Sequence, residues 1–279
     1  MDWTIVSFLA APLAASLILT GIHAYLGVHV VERGVIFVDL SLAQIAVLGA
    51  TLALVLQADG HSEHTALVYW MSLGFTFIGA AVFSTVRTHK SRIPQEAVIG
   101  ICYAVASAAS ILAMSKAPSE SEHLKDMLVG NILAVSWEQV FKTAALYAAV
   151  GAFHFIFRKK FLAISVNHDQ AEATGLNVRW WDFLFYASFG FVVTSSVAIA
   201  GVLLVFCYLI VPSVAAMMYS EHIGRRLAIG WTMGAIVSGV GVYLSLKLDF
   251  STGATIVCTF GVALLLMAMV RPFVLRRAA

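Results

Sequence analysis

Few residues of this sequence can do chemistry, and several of those that can stand inside long apolar stretches. Asp39 follows Gly34-Val35-Ile36-Phe37-Val38, a few residues into an apolar run, with no Lys beside it. A carboxylate at that depth is costly in hydrocarbon and so marks an ion path by default. It suits a hard cation or zinc. The alternative is a structural Asp, paired with Arg33 or with backbone donors at a helix start. Gln44 offers a carbonyl oxygen five positions on, but five helical steps rotate it by about 140° from Asp39. The two do not share a face of a straight helix. His23 and His29 lie late in the preceding apolar run, and Glu32 follows His29 on the same helical face. Imidazole with carboxylate suits a transition metal better than an alkali cation. Hydrogen-bonded packing is the plainer reading of either histidine. Two polar loops hold further candidates: His61, Glu63 and His64 in one, Glu120, Glu122 and His123 in the other. They could collect metal or meet a delivery protein, or simply be solvated.

Other chemistries lack their residues. The sequence has no GxxxxGK followed by Ser or Thr, so it cannot by itself cradle a nucleotide phosphate. It has no HExxH and no GxSxG, and no nucleophile-base constellation, which argues against an enzyme. Cys102, Cys207 and Cys258 are far apart in apolar runs and read as small buried hydrophobes. No Lys/Arg tract is long enough for nucleic acid. Asp249-Phe250-Ser251-Thr252-Gly253 reads as an N-capped entry to the last helix.

The elements that must hold these residues are membrane helices. Of 279 residues, 61% are hydrophobic and 11% charged, with a mean hydropathy of +0.91. A soluble domain carries roughly 25% charge, so this chain reads as a polytopic membrane protein of one domain. Apolar stretches lie at 4–28, 34–57, 66–86, 96–115, 138–157, 181–199, 202–219, 227–246 and 253–271. They give eight or nine crossings by the ~20-residue criterion. The alternation of a membrane barrel is absent, so the spans are helices. The N-terminus lacks the cleavage pattern of a secretory signal, and 4–28 reads as a retained helix. Basic residues collect at Arg33, 87–92, 158–160, 225–226 and 271–277. The positive-inside rule makes those segments cytoplasmic, with the N-terminus outside. The polar stretch 167–179 is then cytoplasmic too. Its Ala, Glu and Gln residues followed by Gly175 predict a short surface helix, a handle for a soluble partner. After it, 180–219 carries one charge, Asp182, and Ala200-Gly201 is where the chain can reverse. Gly230, Gly234 and Ser238 form a small-residue row that packs within the chain or forms a dimer seam.

Four stretches in order resemble the membrane subunit of bacterial ABC importers for zinc, manganese and iron. They are Glu32-Arg33-Gly34 through Asp39, Leu42-Ala43 and Gly49; Gly130-Asn131-Ile132-Leu133-Ala134-Val135-Ser136; Ala171 to Val178 leading to Gly201-Val202-Leu203-Leu204-Val205 and Pro212; and Asp249 with Thr252-Gly253-Ala254-Thr255-Ile256-Val257. The resemblance spans nearly the whole chain. It implies an all-α type II importer permease, similar to the membrane subunit of the vitamin B12 importer, in the bacterial plasma membrane. Such a permease pairs with a second copy, docks two cytoplasmic ATPases that bind the ATP, and receives metal from an extracytoplasmic binding protein. The cargo that the resemblance implies is a divalent ion, Zn, Mn or Fe, with no permanently bound cofactor.

By the same resemblance the helix at 167–178, with His168, Asp169, Glu172, Thr174, Gly175 and Leu176, is the coupling helix that sits in a cleft of the ATPase. One departure stands out. The family's second helix carries an Asp followed four residues later by His, but here Gln44 stands at the His position and Asp39 is one residue out of register. Either the metal passes with different ligands, with His23 or His29 compensating, or the cargo differs. The rival readings are a permease for a metal chelate, siderophore or corrinoid, and a stand-alone secondary transporter.

Overall fold

A computed structural model describes residues 3–57, 64–86, 93–115, 130 and 132–278. Among them there are helices and one 3-10 turn, and no strand, in agreement with the all-α expectation. In chain order the helices are α1 (Trp3–Glu32), α2 (Val38–Gln57), α3 (His64–Val86) and α4 (Gln95–Met114). The 3-10 turn Ile132–Ala134 follows, then α5 (Trp137–Ile156), α6 (Arg158–Val166) and α7 (His168–Ala173). The last three are α8 (Val178–Met217), α9 (Ile223–Leu248) and α10 (Thr252–Ala278). Seven described helices are long and apolar enough to cross a membrane, or eight if α5 and α6, bent by 74° at their junction, count as one span. The 40 residues of α8 would make a rod of about 60 Å, twice the ~30 Å hydrocarbon core. It breaks at Gly201, whose φ of 75° and ψ of 161° no helix contains. That break falls where the sequence suggests a reversal.

The chain forms two compact units, each assembled from separate stretches. One comprises Met1–Val31, Val129–Ala149 and Ile199–Ala279, the other Glu32–Leu128 and Val150–Ala198. In the first, the small-residue row of α9 packs within the chain. A Cβ on Gly234 would collide with the Thr20 side chain of α1, and Gly230 sits against Ala24 and the Pro212 carbonyl. Ser238 is fully buried. Ser213 of α8 donates to the Ala24 carbonyl at 3.3 Å and the Trp231 indole to the Gly21 carbonyl at 2.9 Å, so polar bonds reinforce the close packing. Gly130, at φ +70°, lies directly on the Ala200–Gly201 peptide, where a Cβ would overlap backbone atoms. The turn before α5 therefore seats against the α8 break.

In the second unit α2 packs against α3 and α4. Gly49 lets α2 approach the Met71 carbonyl of α3, and Ser72 donates to the Ala46 carbonyl at 2.6 Å. Phe83, Phe161, Phe185, Tyr186 and Phe189 form its aromatic interior. Large apolar side chains such as Trp70, Ile101, Leu112 and Phe141 are exposed. Exposed apolar side chains at that density belong to a surface covered by lipid or by another protein rather than by water.

In the Asp249–Gly253 entry to the last helix, Asp249 is the left-handed C-cap of α9 at φ 56°, and the Ser251 carbonyl accepts the Thr255 N–H of α10. Two expectations need correction. Cys258 is exposed and Cys102 partly so, because a lipid-facing position tolerates a thiol as readily as a core does; only Cys207 is buried. The start of the second helix is Val38 rather than residue 34, because Gly34 has φ +67° and lies outside the helix.

Candidate functional site: a buried carboxylate and a helical knob

Asp39 stands in the first turn of α2, 1% exposed. Its Oδ1 makes no hydrogen bond among the described residues, and the same holds for the buried Ser41 Oγ two positions on. Glu96, in the first turn of α4, comes to the same helix end. Its Oε1 accepts the Phe37 N–H at 3.0 Å, while Oε2 is enclosed without a partner. A helix N-terminus draws carboxylates because its first N–H groups have no intrahelical acceptor. Once Glu96 has taken that role, the Asp39 carboxylate is available to other chemistry. Gln44 is 5% exposed one and a half turns further in, and Ser107 of α4 donates to its Oε1 at 3.3 Å. Asp39 and Gln44 point to different sides of α2 yet both are buried, because α2 is flanked by α3 and α4. Sequence reasoning missed Glu96 and Ser107. Glu96 reads as the flank of an apolar run, and only its position after Pro94, at a helix start, hints otherwise.

Arg33 does not pair with Asp39. Its Nη1 meets Asp182 Oδ1 at 2.5 Å and its Nε donates to Ser165 Oγ at 2.8 Å, with both charged side chains essentially unexposed. The guanidinium also lies 3.9 Å above the Phe185 ring, a cation–π arrangement. Asp182 is thereby explained as the lone charge of the apolar stretch: it neutralises an arginine 149 positions away. His154, buried and also missed, bonds Ser188 Oγ at 2.8 Å and stacks on Phe161.

The polar stretch is the short helix its residues predict. Asn167 caps α7 by accepting the Gln170 N–H at 3.0 Å. At the other end Gly175, at φ +81°, donates to the Glu172 carbonyl, and Leu176 donates to that of Ala171. These two bonds are a Schellman close, which glycine alone completes without strain. Asn177 then caps α8 through the Trp180 N–H at 3.2 Å. Beneath the knob, Ala171, Ile164 and Val178 form a small core with Leu176 and Trp181. Asp169, Glu172, Thr174 and Gly175 are exposed, and His168, partly buried, lies 3.5 Å from Asp169. The result is a capped, polar-faced knob of two short helices, α6 and α7.

The remaining candidates separate. His23 is buried in α1 with Nδ1 2.7 Å from the Leu19 carbonyl, and its ring meets Tyr147 edge-on. His29 is buried against the Tyr25 ring at 4.9 Å, and Glu32 is half-buried at the end of the same helix. Both histidines belong to the first unit, and Asp39, Gln44 and Glu32 to the second. Within neither unit do three or more His, Cys, Asp or Glu side chains group as metal ligands, among the described residues. His61, Glu63, Glu122 and His123 lie outside the described residues; His64 opens α3.

The comparisons with known proteins agree with this architecture. A manganese transport system membrane protein, MntC of Listeria innocua, is 32% identical over 199 residues, covering 69% of this chain and 70% of its own. A chelated iron transport system membrane protein, YfeC of Yersinia pestis, is 28% identical, covering 66% of this chain and 62% of its own. Among solved structures, PsaBC from Streptococcus pneumoniae matches with a TM-score of 0.77 at 24% identity, over 93% of this chain and 90% of that one. A metal-chelate type ABC transporter in an inward-facing conformation gives 0.70 at 18% identity, over 95% and 88%. At those identities the two structures establish the fold. The profile of the ABC 3 transport family matches residues 6–271, and this multi-pass membrane chain belongs to that family.

Proposed function

We propose that the chain is the single-domain membrane permease subunit of an ATP-driven importer that moves a divalent transition metal ion, zinc, manganese or iron, into the bacterial cytoplasm. The observation that carries the reading is Asp39: a carboxylate 1% exposed, inside a membrane helix, with an oxygen that nothing in the described chain uses. Burying a charged carboxylate that way costs several kcal/mol unless a cation meets it or it takes up a proton. Glu96, at the same helix end, adds a second carboxylate oxygen without a partner; Gln44, on another side of α2, and Glu32 are further candidates within that unit, and His23 and His29 are separate candidates in the other. The manganese and iron transport for which the relatives are named supports a metal cargo. In this reading two copies of the chain pair, two ATPase subunits receive α7, and an extracytoplasmic protein delivers the metal. ATP closure pushes the knob, and the helices carrying Asp39 exchange outward for inward access.

The test is the metal content of cells lacking the gene, rescued with wild type or Asp39→Ala in metal-limited medium. Loss of one metal, restored by wild type alone, is the expected result; no change in any metal would discard the reading. Glu172→Arg, on the exposed face of the knob, is expected to release the ATPase from a folded permease. A second reading keeps the fold and carries a metal chelate. Gln44 favours it, since a neutral amide stands where the resemblance expects an imidazole ligand. In that case rescue by Asp39→Ala would equal rescue by wild type.

A further inference from the structure

Both partners of Arg33 are chain neighbours of the knob's core. Ser165 follows Ile164, and Asp182 follows Trp181; Ile164 and Trp181 pack together under α7. A displacement of the knob therefore carries Ser165 and Asp182 with it. Arg33 holds them by two hydrogen bonds and a ring face, and only Gly34 to Phe37 separate it from the α2 helix that carries Asp39. Gly34, at φ +67°, with open space around it, gives that elbow a pivot. The far end of the elbow is fixed from elsewhere, by Glu96 of α4 on the Phe37 N–H.

The chemistry of the joint also asks for an explanation. A buried ion pair contributes little net stability, and well-packed apolar residues in its place are often neutral or stabilising. What the pair supplies is direction: a guanidinium fork fixed in plane and distance by a carboxylate and a hydroxyl.

Building on the importer reading above, we infer that Arg33, Asp182 and Ser165 form a strut that passes knob displacement to the start of α2, so that Arg33 is a positioning residue for the Asp39 carboxylate. An apolar replacement would still fill the space, but it could slide and rotate.

The test variant is Arg33→Met/Asp182→Leu, which removes both charges together and leaves neither buried alone. Two measurements are made: Mn2+ uptake by cells, and ATP hydrolysis by the permease with its co-purifying ATPase in lipid nanodiscs. The strut predicts a folded complex that retains the ATPase and hydrolyses ATP at a rate close to wild type. Uptake should fall about tenfold, the size of an ordinary coupling energy between sites. Ser165→Ala, which exposes no charge, should lower uptake by a smaller factor in the same direction. Wild-type uptake by the double variant would overturn the strut and leave the importer reading intact. Loss of the ATPase or of folded permease would also overturn it, making the pair a folding element. If wild type itself moves no Mn2+, iron or zinc and holds no ATPase, the importer reading fails, and the strut with it.

Discussion

Substituting Gly130 by Ala tests whether the turn before α5 must touch the break in α8. Two costs add at that position. A residue with a Cβ at φ +70° loses about 1–2 kcal/mol to its own backbone. The added methyl group would also overlap the Ala200 carbonyl carbon and the Gly201 nitrogen, both backbone and unable to swing aside. Overpacking of that kind costs about 1–3 kcal/mol, so the variant should lose roughly 2–5 kcal/mol in all. Gly100→Ala is the control. Gly100 lies inside α4 with nothing within 4 Å of an added Cβ, so alanine should stabilise there by about 0.5–1 kcal/mol. Unfolding of the purified permease by SDS titration in mixed micelles measures both. The expected outcome is a change of opposite sign in the two variants. A Gly130→Ala protein as stable as Gly100→Ala would refute the contact between turn and break.

Other perturbations probe the two ends of the proposed path. Glu96→Gln keeps an oxygen for the Phe37 N–H but removes the charge, so folding should be unchanged and metal uptake reduced; unchanged uptake would remove Glu96 from the path. Asn167→Ala deletes the α7 cap and should cost about 1 kcal/mol. Hydrogen exchange should then speed up at Gln170 within the knob and leave α2 as it was; uniform acceleration would mean the knob is not a local unit.

The parts of this molecule that were legible in its sequence are those fixed by near neighbours. Asn167 and Gly175 delimit α7 because a cap and a left-handed stop act within one turn. Gly201 could be read as a break because it interrupts a run too long for one crossing. Arg33 and Asp182 could not be joined, since no local pattern links residues 149 apart, and the nearer Asp39 was the one partner the sequence offered for Arg33. Asp249 had no assigned place for a related reason. It stands in the entry to the last helix, but its backbone is set by the end of the preceding one. Cys258 misled because apolar surroundings in a membrane chain mean lipid as often as core. The candidate site was half visible: Asp39 and Gln44 stood out by type and depth, while Glu96 and Ser107 are brought in only by the packing of α4 on α2.

The ion pair at the elbow also has a history in time. Ribosomes add about 5–20 residues per second, so Asp182 emerges roughly 7–30 s after Arg33 has been made. For that interval the guanidinium lacks the carboxylate it holds in the folded chain, and an arginine at a helix end answers by reaching toward the headgroups or toward nearer carboxylates such as Glu32 and Asp39. The Arg33–Asp182 contact at the elbow therefore forms only after the start of α8 has been made. A nascent chain arrested before residue 182 should leave Arg33 open to a water-soluble arginine reagent, and one arrested well beyond it should not. Protection in both would show that the nascent elbow finds another anchor.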